Sequence, residues 1–185
     1  MKNMKVKELM RPIEEFSRIS SSATLMEAVE SLEKVDEEYR AGKVPERILI
    51  VINGKGKNVG KISFIDIVKA LEPNYKDFVK IKSGINSPLI RTLIDERFMF
   101  WHKPLAELWQ NACQIKIHDF IKLPTSDQMV NANEKMEEAI HLFVAEGHGF
   151  LFVRDGTGII GLIRLSDVYK KIKMAIESHS SRPAA

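Results

Sequence analysis

Apolar and polar positions along the chain fall into two patterns, and both are written twice. From Leu25, apolar residues recur at Leu25, Ala28, Val29 and Leu32. From Met136 the same spacing gives Met136, Ala139, Ile140 and Phe143. Spacing of i, i+3, i+4, i+7 predicts a helix burying one face. Each helix is preceded by a short apolar run, ending at Ser20 and at Asn131, which predicts a strand. Ser22 and its counterpart Asn133 are candidate N-caps, residue types whose side chains satisfy free helix amides. After each helix, two apolar runs flank a turn: "RILIVI", "NGKGKN" and "VGKIS" first, then "FLFV", "RDGTG" and "IIGLIR". Both read as β-hairpins. A closing helix follows each, limited by Pro73 in the first copy and reaching about Glu177 in the second.

The repetition holds residue by residue. Without a gap, Val6 meets Ile117, Leu9 meets Phe120, Ile19 meets Val130 and Ala28 meets Ala139, an offset of 111. In the hairpins Gly60 meets Gly161, an offset of 101. The first copy therefore holds ten extra residues, within "EKVDEEYRAGKVPER", a charged, turn-like insert able to extend a helix or loop. The expected fold is mixed α/β (α+β): two β-α-β-β-α units packed through their sheets. The first repeat spans 1–72, a helical connecting segment 73–116, the second repeat 117–177, and a disordered tail 178–185. In the connecting segment, Pro88 and Pro104 mark helix starts. Leu105, Leu108, Trp109, Ala112 and Cys113 share a face, and "FMFW" at Phe98 to Trp101 adds an apolar cluster. That face packs on the repeats or forms a dimer or partner surface.

Composition narrows the function classes. In 185 residues the formal net charge is only +3, and the Lys and Arg residues do not gather on one segment, which argues against nucleic acid. No apolar run approaches the roughly 20 residues that span a bilayer. Cys113 is the single cysteine, consistent with a reducing cytoplasm and with a small core residue rather than a nucleophile. The histidines (His102, His118, His141, His148, His179) show no metal-ligand spacing. Asp36 to Glu38 read as a solvated face, and "NGKGKNVGK" lacks the G-K-[ST] ending of a phosphate-binding loop.

One recurring triad could carry chemistry: Gly60, Ser63 and Asp66, repeated as Gly161, Arg164 and Asp167. A strand glycine lets a flat ligand approach the backbone. A hydroxyl at a helix start suits a phosphate, and a carboxylate one turn later can accept both hydroxyls of a ribose. Ser and Asp at a helix start are also ordinary caps. Arg164 could grip a polyphosphate, fill its own cleft or pair with a nearby carboxylate, so the second site ranks below the first.

The segments "VKELMRP", "TLMEAV" and "RILIVINGKGKNVGKISFID", with their second-copy partners, resemble a tandem pair of cystathionine-β-synthase (CBS) domains, a Bateman module. The resemblance implies two clefts that take AMP, ADP, ATP or S-adenosylmethionine, and leaves open whether Mg²⁺ accompanies the phosphates. It implies Ser63 and Asp66 as phosphate and ribose contacts of the first cleft, with Ile19 and Ser20 lining the base pocket. It further implies Arg47 as a basic residue near the phosphates, with His148 in the matching second-copy position. It favours a homodimer and a non-catalytic module that signals to a separate regulated protein. The alternative is a structural dimerisation protein with vestigial clefts.

Overall fold

The computed structural model describes residues 3–71, 110 and 112–180. The helix signals at Pro88 and Pro104, the apolar face through Trp109 and the Phe98 to Trp101 cluster lie outside them.

In the first half, strand β1 (Arg11–Pro12) and β2 (Arg18–Ser20) precede helix α1 (Leu25–Arg40). The hairpin β3 (Leu49–Ile52) and β4 (Asn58–Ile62) and helix α2 (Phe64–Leu71) follow. The second half repeats the order with a short helix α3 (Ile117–Phe120), strand β5 (Met129–Asn131), helix α4 (Met136–Glu146), hairpin β6 (Phe150–Asp155) and β7 (Gly158–Arg164), and α5 (Leu165–Ser180). Part of the insert is helix: α1 has 16 residues where α4 has 11. Helix α5 continues to Ser180, so residues 178–180 of the expected tail are helical.

Both central helices start two residues later than the cap expectation. Thr24 caps α1, accepting from the Glu27 amide while the Glu27 carboxylate accepts from the Thr24 amide. This is the capping box written T-x-x-E. Ser22 instead bonds the Ser20 hydroxyl, and Lys135, not Asn133, precedes α4.

Strand alternation sorts side chains into three cores. Leu49, Val51 and Ile62 face α1 with Leu25, Ala28, Leu32 and Val35. Leu151, Val153 and Ile163 face α4 with Met136, Ala139 and Phe143. The opposite faces of the two sheets meet through Ile13, Phe16, Ile48, Ile50, Phe152 and Leu162. Asn58 donates its carboxamide N–H to the Ile159 carbonyl at 3.1 Å. Ile159 is its own counterpart at offset 101, which puts this contact on the pseudo-twofold axis.

The halves are interlocked as well as stacked. Val6 is fully buried in the second core and Ile117 in the first. Met136 N–H bonds Met4 O, Val6 N–H bonds Glu134 O and Lys7 N–H bonds Ala132 O. Each has a twin shifted by 111: Leu25 to Ile115, Ile117 to Ala23, and His118 to Ser21. The segment that opens each repeat therefore completes the core of the other. Ala112 is buried in the first core, but Cys113 is exposed, against the expectation of a core cysteine.

Symmetry breaks at the sheet edges. One sheet runs β1-β7-β6-β5, the other only β2-β3-β4. Strand β1 zips antiparallel onto β7, with Arg11 opposite Leu162 and Pro12 opposite Gly161. Lys122 and Leu123, the twins of Arg11 and Pro12, add no strand to β4. In that register Lys122 would oppose Lys61, and like charges directly opposite destabilise a ladder.

Gly161 lies under this contact: a Cβ there would clash with the Arg11 carbonyl oxygen. At Gly60 a Cβ would meet the flexible Ile121 Cδ1 at 3.0 Å and Lys122 O at 3.2 Å. Gly161→Ala is therefore expected to lower stability by about 2 kcal/mol, by overpacking against backbone, and Gly60→Ala by less. Denaturant midpoints check this, and equal losses would contradict it.

Candidate functional site

Between the loose edge of β4 and the second half lies a cleft of about 390 Å³. Its first wall is Lys61, Ile65, Asp66 and Lys69, from the end of β4 and the first turns of α2. Its second wall is the crossing segment Phe120–Lys122 with Pro124 and Gln128, and the start of β6 at His148–Phe150.

Asp66 anchors the first wall. Its Oδ2 accepts from the Ser63 amide at 2.9 Å, the Ser63 hydroxyl at 2.6 Å and Lys61 Nζ at 2.8 Å. Lys61 Nζ also bonds the Ser63 hydroxyl at 2.9 Å and lies 5.3 Å from the centre of the Phe150 ring, across the cleft. Burial alone would push the Asp66 carboxyl up. The hydrogen bonds from Lys61 and Ser63 and the Lys61 charge outweigh it and hold the group below the usual carboxylate range. Asp66 stays ionised, and these three contacts all fall on Oδ2.

At the equivalent place in the second half an ion pair is buried. Arg164 and Asp167 are the buried polar residues among those described, 9% and 6% exposed. They pair in a bidentate fork, Nε to Oδ2 at 2.7 Å and Nη2 to Oδ1 at 2.8 Å. The third guanidinium nitrogen donates to the Pro45 carbonyl and stands 3.7 Å from Glu46, both in the insert. Arg11, from the crossing N-terminal segment, reaches Asp167 at 3.6 Å. Burial pushes the Asp167 carboxyl up, but the Arg164 hydrogen bonds and charge, with Arg11 and Lys170 beyond, hold it low. Hydrogen bonding to Asp167 likewise raises the Arg164 pKa against its burial. Of the openings left for Arg164, the structure shows the pairing with a carboxylate, with the side chain buried.

Both aspartates are lowered on folding, so their stabilisation is present above the ordinary carboxylate range and lost as pH falls through the lowered values. The melting temperature is expected to drop below about pH 4, less steeply in Asp167→Asn than in wild type. Parallel curves would contradict this.

The remaining predicted positions separate. His148 lines the cleft of Asp66, with Nε2 3.3 Å from Asp127. The cleft is built across the repeats, so the basic position of one copy serves the motif of the other. Arg47 accordingly is not among the residues lining this cleft. It lies 5.2 Å and 5.8 Å from the Tyr39 and Phe64 ring centres and 3.5 Å from Asp36, and its neighbours Pro45 and Glu46 border Arg164. Asp36, read as part of a solvated face, is largely buried between Arg40 and Arg47. Ile19 is buried in the first core and Ser20 is tied to Ser22, and neither lines the cleft. Gly60 and Gly161 are covered by the crossing chain. The sequence reading missed Lys61, Lys69, Lys122 and Phe150 on the open cleft, and Arg11, Pro45 and Glu46 on the closed one. Among the described residues no three His, Cys, Asp or Glu side chains gather as a metal site, and no helix is long and apolar enough to cross a membrane.

The sequence pattern of the CBS domain matches residues 118–174. Solved structures, CBS domain-containing proteins among them, share the fold over nearly the whole chain. A CBS domain-containing protein of unknown function from Bacillus anthracis is 14% identical, with a TM-score of 0.59 over 92% of this chain and 94% of its own. CBSX2 in complex with AMP is 19% identical, TM-score 0.56, over 92% and 97%. A putative acetoin utilization protein (AcuB) from Vibrio cholerae is 18% identical, TM-score 0.55, over 97% and 98%. No curated protein matches the chain. Residues 118–174 thus match the CBS domain, and the chain as a whole shares the fold of these solved structures.

Proposed function

We propose that the protein is a non-catalytic regulatory module that senses an adenosine-containing ligand in the first cleft and signals to a separate partner. One observation carries the reading: an ionised carboxylate, Asp66, held on the wall of an open cleft whose opposite wall belongs to the other repeat. A ribose on Asp66, with its remaining groups against His148 and the 120–124 segment, would bridge the halves. A ligand touching both walls favours one relative orientation, and a partner that distinguishes orientations reads the ligand. That CBSX2 carries AMP on the same fold is consistent with this ligand class.

The second cleft, closed by Arg164, is a structural clamp in this reading, so each chain offers one site. The family resemblance favours a homodimer. The exposed pairs Phe64 and Val68 on α2, and Leu165 and Tyr169 on α5, are apolar faces in keeping with it.

A panel of AMP, ADP, ATP and S-adenosylmethionine in thermal melts tests the function, because a ligand of the folded state must raise the melting temperature. A rise with at least one compound supports the proposal. A melting temperature unmoved by all four at millimolar concentration would leave the structural dimerisation protein as the better reading.

A further inference from the structure

We infer that the first cleft selects its ligand by a phosphate chain, held between lysines of both repeats, and so excludes S-adenosylmethionine and unphosphorylated adenosine. This rests on the proposed function for the identity of the base and sugar, and adds the charge class of the rest.

The two clefts are internal controls for one another. In the closed cleft, Arg164, Arg11 and Lys170 face Asp167, Glu46 and, beside Arg11, Glu15, so cations and carboxylates balance within the protein. Among the described residues lining the open cleft, Lys61, Lys69 and Lys122 face one carboxylate, Asp66, with Asp127 set behind His148. Lys61 satisfies Asp66. Lys69 and Lys122 have no carboxylate partner among the described residues. Lys69 stands on α2 in the first repeat and Lys122 on the crossing segment, so the surplus charge lies on both walls.

The failed strand points the same way. At the twin edge Arg11 pairs onto β7 opposite an apolar Leu162. Lys122 occupies that place beside β4, where its opposite number would be Lys61, and among the described residues no strand pairs there. Two ammonium groups brought to one unzipped edge repel until an anion comes between them. A phosphate chain there meets Lys61 and Lys122 together and removes that repulsion. S-adenosylmethionine brings a sulfonium and an ammonium against one carboxylate, a net positive charge, to the same walls, and adenosine brings no charge.

Calorimetric titration of the full chain with ATP, ADP, AMP, adenosine, S-adenosylmethionine and inorganic tripolyphosphate tests this, at low and high salt. Affinity is expected to fall stepwise as phosphates are removed and as salt rises. Lys122→Gln should weaken ATP about tenfold, one charge-assisted contact, while a Lys55→Gln control on the hairpin turn, not among the cleft-lining residues, changes nothing. Adenosine or S-adenosylmethionine binding as tightly as ATP, or ATP binding indifferent to Lys122→Gln, overturns the inference and leaves the adenosine-sensing function standing. Tripolyphosphate binding that depends on Lys122, with no gain from adenosine, keeps the anion site and sinks the adenosine reading. No binding by any member of the panel overturns both.

Discussion

Asp167→Ala protein is expected to melt roughly 6–12 °C below wild type, the largest stability loss among the single substitutions considered. The carboxylate is almost fully buried and receives both prongs of the Arg164 fork. Removing it strands a guanidinium whose remaining partners are the Pro45 carbonyl and Glu46 at 3.7 Å. An uncompensated buried charge costs about 3–5 kcal/mol. Glu46 offsets part of that, leaving about 3 kcal/mol, and a chain of this size loses about 2–4 °C per kcal/mol. Arg164→Ala should cost less, because Arg11 at 3.6 Å and Lys170 at 3.9 Å still face Asp167. Replacing both, as Arg164→Met with Asp167→Leu, should recover much of the loss, since the desolvation penalty goes with the pair. If all three proteins melt within about 1 °C of wild type, the effect of a neutral surface change, then the fork is not what fastens the insert to the second half.

Asp66→Ala should abolish most of the ligand-induced melting shift while leaving the apo protein folded. A ligand at a hundred times its dissociation constant stabilises the folded state by about 2.7 kcal/mol, or about 5–11 °C for this chain. A ribose held by hydrogen bonds to a charged carboxylate loses about 1.5–3 kcal/mol when that carboxylate is removed, which weakens binding about ten- to a hundredfold. The apo protein loses the Ser63 cap and the Lys61 pair, but Asp66 is partly exposed, so the cost is modest. A shift retained in Asp66→Ala would move the ligand elsewhere.

How far the sequence carried the structure depended on whether a feature was local or convergent. The helix stripes, both hairpins and the duplication come from periodicities along a continuous stretch, and Leu25, Ala28, Leu32 and their twins are buried accordingly. The capping box at Thr24 was also legible, as T-x-x-E, but Ser22 is an equally good cap by residue type. The exchange of opening segments left only a faint trace, Val6 aligned with Ile117, because an apolar residue does not say which core receives it. Cys113 shows the same limit: it adjoins buried Ala112 in sequence, yet one residue is a 100° turn on a helix. The site was less legible because its walls come from positions 61–70, 120–128 and 148–152. A motif read within one repeat assigns His148 to its own copy, whereas the fold sets it against Asp66 of the other. Arg164 could be seen to break the triad, but which of its three roles it fills depends on Pro45, brought to it from more than a hundred residues away by the insert.

The most direct test of the central claim is the number of ligands bound per chain, measured by equilibrium dialysis with radiolabelled ATP on wild-type, Asp66→Ala and Asp167→Asn proteins. A single open cleft predicts one ligand per chain in wild type and in Asp167→Asn, and none at the same concentration in Asp66→Ala. Two ligands per wild-type chain, or one that survives in Asp66→Ala and disappears in Asp167→Asn, would contradict it.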